Sequence, residues 1–337
     1  MHMQLNPQFS SLGIGEMGIL DSISKCLVPE LEQLRGRKIV FSHEDRRMVP
    51  IEGWGIRAGP HHSTVHTIRS AQEKMIVAAV DSSSVKLGET EEGGLYAVKC
   101  GVAMALDRRA LMHFRIGPIL FYLSENTTRN SELEVRLARA VLCDDDLAKR
   151  LIRIRAERAI QTELSNHFAN SIILVDGSLR MSAFEDRDRS ISKISESCVL
   201  RRNILIGISK GTRLKPVERA AAPLLMVPGP ACLDVDAIVK SLIRNTMGTS
   251  LMVRLDSSGP VLRADVLSDD IEEALGKLIG NDIVAGGYPE TLRLAHYIST
   301  FTSTEITCLR SHVLNNYEVS ELAAEDIRRT LLGSISI

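Results

Sequence analysis

Met75-Ile76-Val77-Ala78-Ala79-Val80-Asp81-Ser82-Ser83-Ser84 sets six apolar residues ahead of a carboxylate and three hydroxyls. An apolar run this short, without polar alternation, reads as a strand buried on both faces of a helix-covered sheet. That strand is expected to end at Asp81. The pattern recurs as Ile172-Ile173-Leu174-Val175, then Asp176-Gly177-Ser178. A residue at such a strand end emerges at the sheet edge, where open α/β sheets bind ligands. A small neighbour, Ser82 or Gly177, leaves room for a cation and a phosphate. Two such strands side by side would bring Asp81 and Asp176 together. Close carboxylates repel unless a divalent cation neutralises them, and Mg²⁺ and Mn²⁺ take such oxygen ligands. The alternative is that each Asp caps a turn, for which Asp, Gly and Ser are favoured. The pattern alone leaves both open.

Downstream of Asp81, Leu95–Leu106 and His113–Leu123 read as two further strands with short connections, an antiparallel meander. A charged, periodic stretch over 130–168 predicts two helices, the second starting at Cys143-Asp144-Asp145-Asp146, where acidic side chains meet the positive helix end. Leu147, Leu151, Ile154, Ile160, Leu164 and Phe168 make its apolar stripe. A charged helix is expected over 185–200, then a strand at Ile204–Ile208. Later strands are predicted at Leu224–Val227, Ser250–Leu255 and Pro260–Val266, and helices at 234–243, 269–279, 289–300 and 318–332. Strands first, then strands alternating with helices, give an α/β fold: one mixed sheet flanked by helices on both faces. Residues 1–70 are irregular apart from an amphipathic helix over Asp21–Arg35 with Pro29 inside it, and read as an N-terminal appendage. Residues 71–337 form the main domain.

The whole chain limits the function classes. It has 337 residues and a net charge of −1, so it is no bulk nucleic-acid-coating protein, though a local basic groove is compatible. Six scattered cysteines show no zinc spacing and read as free thiols of a reducing compartment. No stretch of about 18 uncharged apolar residues offers a membrane span, and no signal-peptide pattern opens the chain. A cytoplasmic location is expected. His61-His62-(x)₃-His66 lacks an acidic partner and is a poor metal site. Gly13-Ile14-Gly15-Glu16-Met17-Gly18 matches a dinucleotide fingerprint by letters only, with no strand before it. No Walker A motif occurs, so ATP-driven movement would belong to a partner.

Four motifs stand in one order: Val80-Asp81-Ser82-Ser83, Leu174-Val175-Asp176-Gly177-Ser178-Leu179, Gly207-Ile208-Ser209-Lys210 and Gly287-Tyr288-Pro289-(x)₂-Leu292-(x)₃-His296. Together they resemble the NurA nuclease family, which works in DNA end processing beside the HerA translocase. The likeness spans roughly residues 75–300. It implies an RNase H-like fold and a manganese-favouring acidic site, with Mg²⁺ as the alternative ion. Carried over, Asp81 and Asp176 are the strand carboxylates and Glu157 the helix carboxylate, with Glu163 in reserve. His296 completes the set as metal ligand or water-orienting group, or else is a structural histidine. Lys210 would meet the scissile phosphate. Tyr288, Lys210, Arg213, Arg254 and Arg263 are the DNA-contact candidates; Arg254 and Arg263 read equally as plain surface. The implied activity is 5′→3′ exonuclease action on single- and double-stranded DNA, with single-strand endonuclease action. It serves end resection, double-strand break repair and homologous recombination. The implied assembly is a homodimer docked on a HerA-type hexameric ATPase. Two other classes compete: an inactive RNase H-like module binding DNA ends or HerA, and a sugar kinase of the actin-like class. The kinase class needs a glycine-rich phosphate loop that Asp81-Ser82-Ser83-Ser84 lacks.

Overall fold

The computed structural model describes residues 31–41, 64–129, 133–185, 189–212 and 214–322. The strands that build its main sheet are β1 (Lys38–Phe41), β2 (Val65–Thr67), β3 (Val77–Glu89), β4 (Gly93–Leu106), β5 (Arg109–Ser124), β6 (Ile172–Asp176), β7 (Ile204–Ser209), β8 (Ala231–Asp234), β9 (Thr249–Arg254) and β10 (Leu262–Leu267). A two-residue strand, Ser320–Glu321, joins beside β1. The helices that matter for the site are α1 (Asp145–His167), α2 (Ser190–Leu200), α3 (Ile271–Asn281), α4 (Glu290–Ser299) and α5 (Ser303–Asn316).

β3, β4 and β5 form the expected antiparallel meander, and β3, β6 and β7 run parallel. Antiparallel β10, β9, β8 and β2 extend the sheet beyond β7. Helices cover both faces, so the fold is a mixed α/β sheet. On one face Ala78, Val80, Ile173 and Val175 pack with Leu151, Ile152 and Ile160 of α1 and Ile191 and Ile194 of α2. On the other, Val77, Ala79, Ile172 and Leu174 pack with Leu275 and Leu278 of α3 and Leu292 and Ala295 of α4. Side chains alternate along a strand, so each short apolar run feeds both cores at once, the reason it shows no polar alternation. α1 starts as read: the Asp144 carboxylate accepts from the N–H groups of Asp146 (2.8 Å) and Leu147 (3.2 Å).

Several expectations give way. β3 does not end at Asp81. It continues to Glu89, because β4 pairs with it along its whole length. What ends near Asp81 is the pairing on the other edge: β6 matches Val77–Val80, and β1 resumes only at Gly88 and Glu89. Asp81 therefore lies in a strand interior, at the mouth of a notch in the sheet. Residues 222–225 form a helical turn with Pro223 at its start, not a strand. The strand follows at Ala231–Asp234, an apolar run too short to stand out. α5 went unread because it buries only Val313, yet Thr302 and Glu305 form a reciprocal capping box at its start. Of the predicted helix 318–332, Ser320–Glu321 is strand and 323–332 lie outside the described residues. Leu31–Leu34, the described part of the helix predicted over 21–35, is one 3₁₀ turn. Within the first 70 residues, β1 and β2 are strands of the main sheet.

Candidate active site

Asp81 and Asp176 meet as the two apolar runs require. Val80 pairs with Val175 in parallel register, so the residues that follow them stand level on adjacent strands. Both carboxylates lie on the α4 face, following the alternation from Ala79 and Leu174. Asp81 is 8% exposed. Its Oδ2 is 2.6 Å from His296 Nδ1 and 3.5 Å from Ser299 Oγ, both on α4. Asp176 Oδ2 accepts from Lys210 Nζ at 2.9 Å, and Oδ1 accepts from the Tyr288 hydroxyl at 3.4 Å. The Lys210 ammonium also sits 5.4 Å from the Tyr288 ring centre, within cation–π range. Tyr288 stands in a two-residue hairpin strand paired with Val284–Ala285.

Glu157 arrives from the opposite face. Ser82 points toward α1, and its Oγ donates to Glu157 Oε1. Burial, and after it the negative charge of Asp81, push the Glu157 carboxyl up to about 7; the Ser82 bond, Arg153 and Arg158 pull the other way. The Asp81 charge reaches Glu157, so the notch gathers carboxylates from both faces of the sheet. Burial raises the Tyr288 hydroxyl, with the Asp176 charge adding to it. Cys100, paired across from Ser82 on β4, is pushed well up by burial, then by Glu157 and Asp81. Glu163, six residues beyond Glu157, is half-buried.

Two glycines shape the site. Gly101 pairs with Asp81, and a Cβ there would lie 2.2 Å from the Ala295 carbonyl oxygen. Its missing side chain lets α4 lie close enough for His296 to reach Asp81. Gly177 has φ +123°, a conformation side-chained residues rarely adopt, with open space where a Cβ would stand. It makes the turn after β6.

Asp81, Asp176 and Glu157 offer carboxylate oxygens and His296 an imidazole nitrogen, donors that suit Mn²⁺ or Mg²⁺. In the structure the donors are spread among other partners, and no three His, Cys, Asp or Glu side chains among the described residues surround a common point. Positive or hydrogen-bonding groups of the chain stand at each carboxylate instead: His296 at Asp81, Lys210 at Asp176 and Ser82 at Glu157.

Residues 75–221 match the NurA domain. Over that stretch the chain is similar to the NurA family. Among curated proteins none matches its sequence. Three solved structures resemble this protein. The NurA nuclease from Sulfolobus solfataricus is 15% identical, with 92% of this chain and 98% of that one covered and a TM-score of 0.41. A NurA bound to dAMP and manganese is 10% identical, with 77% and 91% covered and a TM-score of 0.45. Endonuclease V of Ciona intestinalis, in complex with a 24mer DNA containing an inosine, is 15% identical, with 72% and 92% covered and a TM-score of 0.37.

The remaining sequence candidates separate by burial. Arg263 is a correction: it is 5% exposed and holds Asp265 at 2.9 Å, so no phosphate can reach it. Asp265 is itself fully buried and also receives Ser250 Oγ and the Leu179 N–H. Arg254 is likewise engaged, donating to the carbonyls of Val227, Ser257 and Gly259. Alternation along β9 and β10 could not show that an internal acid partners one arginine and a loop wraps the other. Arg213, His61 and His62 lie outside the described residues; His66 pairs with Glu272 at 2.8 Å. The sequence reading missed Ser299, Gly101 and the partnership of Ser82 with Glu157. Ser299 had a signal, its i+3 position on the face of His296. Among the described residues no helix is long and apolar enough to cross a membrane.

Proposed function

We propose that this protein is a metal-dependent deoxyribonuclease that hydrolyses phosphodiester bonds at the notch between β3 and β6. The observation that carries the reading is the register of those strands, which sets Asp81 and Asp176 level on one face while Glu157 enters from the other. Carboxylates so placed repel one another, and their worth lies in what they can hold. Asp81, Asp176 and Glu157, with His296 beside them, would bind Mn²⁺ or Mg²⁺. The ion supplies an acidified water and positive charge for the attacked phosphate and the leaving oxygen.

The chain's own groups account for the rest. With Asp81 ionised, His296 donates from Nδ1 and keeps Nε2 as an acceptor, able to orient a water proton. Lys210, 55% exposed, is tethered to Asp176 and free to swing onto a phosphate oxygen. Tyr288 presents a phenol beside Asp176 and a ring face beneath Lys210, which keeps the ammonium near the notch when it leaves the carboxylate. Hydroxyl, ammonium and imidazole thus ring the acids on the side open to solvent.

In finer terms we propose 5′→3′ exonuclease action with single-strand endonuclease action, in DNA end resection. The protein would work as a homodimer beside a HerA-type hexameric translocase. The likeness of residues 75–221 to the NurA domain and the want of a Walker A motif support this reading. The test is cleavage of linear DNA labelled at either end, with and without Mn²⁺. Asp81→Asn and Asp176→Asn are expected to lower the rate about 10²–10³-fold, the scale of removing one electrostatic group from a hydrolytic site, with the unfolding midpoint unchanged or raised. Wild-type cleavage by either variant would defeat the proposal. Binding of DNA ends without any metal-stimulated cleavage would favour the inactive module.

A further inference from the structure

We infer that Arg153 is a DNA-backbone contact of this site, taking a phosphate on the α1 side of the notch, opposite Lys210. The inference rests on the nuclease reading of that notch. Four arginines stand on α1: Arg150, Arg153, Arg155 and Arg158. Arg155 and Arg158 are 5% and 8% exposed; they turn inward, donating to the Phe184 carbonyl and to Glu185. Arg150 lies over the Phe184 ring, 6.0 Å from its centre. Arg153 is exposed, and none of the described residues gives its guanidinium a hydrogen bond or ion pair.

Arg153 is placed where that freedom counts. It lies four residues before Glu157, one helical turn away on the same face, with Cβ atoms about 5–6 Å apart. Its charge acts on the Glu157 carboxyl. Lys149, one turn further back on the same stripe, is occupied by Asp146 at 2.8 Å. A strand entering the notch brings a phosphodiester anion toward three carboxylates. Lys210 offsets that repulsion only on the β7 side. A planar guanidinium beside Glu157 offers two parallel N–H donors to a phosphate and balances the charge on the other side. Ser82 bonds Glu157 and Ser84 bonds the Lys149 carbonyl, so the stripe Lys149–Arg153–Glu157 lies along the stretch of β3 between Val80 and Gly88, whose edge neither β6 nor β1 pairs. A nucleic-acid strand leaving the notch along this edge meets Arg153 first.

The test uses the full-length protein and a short fluorescein-labelled single-stranded DNA, read by anisotropy without metal across a salt series. Arg153→Ala is expected to weaken binding about 10-fold and to reduce the salt slope by about 0.7, one phosphate contact on a single strand. Arg153→Lys should restore most of the slope, since a point charge still releases a counterion. Cleavage should show the loss mainly in KM. Unchanged affinity and slope in Arg153→Ala would overturn the inference. So would a loss confined to kcat and Mn²⁺ affinity, which would make Arg153 a counter-ion of Glu157 only. If the wild type binds DNA with an Arg153-dependent slope but never cuts it, the nuclease reading fails and the contact stands. If it binds no DNA, both fail.

Discussion

At the residue scale the site is a problem in charge. Glu157 sits half-buried, hydrogen-bonded by Ser82, with its carboxyl raised from 4.5 to about 7 by burial first and Asp81 second. The folded metal-free protein therefore binds this proton more tightly than the unfolded chain. The stability that follows is fully present below about pH 4.5 and is lost as pH rises through 7. Glu157→Gln should flatten the fall of the unfolding midpoint between pH 5 and 8; an identical pH profile in the variant would contradict the assignment. Ion binding runs the other way, because a ligand carboxylate must be ionised. Mn²⁺ affinity, followed by calorimetry, should rise with pH and level off above about 7. A flat profile from pH 5 to 8 would show that Glu157 is no ligand. Arg263 gives a contrasting expectation. Removing it leaves buried Asp265 without its counter-ion, a loss of about 3–5 kcal/mol. Arg263→Gln should lower the urea midpoint while DNA affinity per folded molecule stays unchanged.

At the element scale, what positions the acids is close packing of α4 on β4. Gly101 meets the Ala295 carbonyl where a side chain would have to stand, with backbone as the obstacle. Gly101→Ala should therefore push α4 outward, cost about 1–3 kcal/mol in stability and lower kcat by separating His296 from Asp81. Urea unfolding and cleavage kinetics check both; an unaltered kcat would mean His296 does not need that contact. At the C-terminal end of α4, buried Lys99 donates to the Thr300 carbonyl and to Glu305 at the start of α5. That joint fixes the direction in which α4 presents His296 and Ser299. The Thr302–Glu305 capping box starts α5 there, a helix the sequence pattern does not announce because its apolar positions are few and only Val313 is buried.

At the scale of the whole molecule, the legible parts of the fold are those where one segment carries its own physics. The central strands announce themselves because burial on both faces leaves no polar residue in Val77–Val80 or Ile172–Val175. The start of α1 was readable from Asp144 and its neighbours. The extension of β3 past Asp81 was not, because Ser82, Ser83 and Ser84 look like a turn until β4 supplies their partners. The site follows the same division. Asp81 and Asp176 stand out alone, since each ends an apolar run. Glu157, Lys210, Tyr288 and His296 needed the family likeness to select them among many similar residues. Their partners were invisible, because Ser82 finds Glu157 across 75 residues and His296 finds Asp81 across 215. Packing of α1 and α4 on opposite faces of the sheet made those distances short.

The account's central claim is that Asp81, Asp176 and Glu157 together hold a divalent cation. Its most direct test is a crystal of the protein soaked in Mn²⁺, with the anomalous difference density examined at the notch. The account predicts a peak within about 2.0–2.6 Å of carboxylate oxygens of Asp81 and Asp176, with Lys210 displaced from Asp176 and Glu157 turned toward the ion. A notch without density, with Lys210 still on Asp176 and His296 still on Asp81 at saturating Mn²⁺, would contradict it.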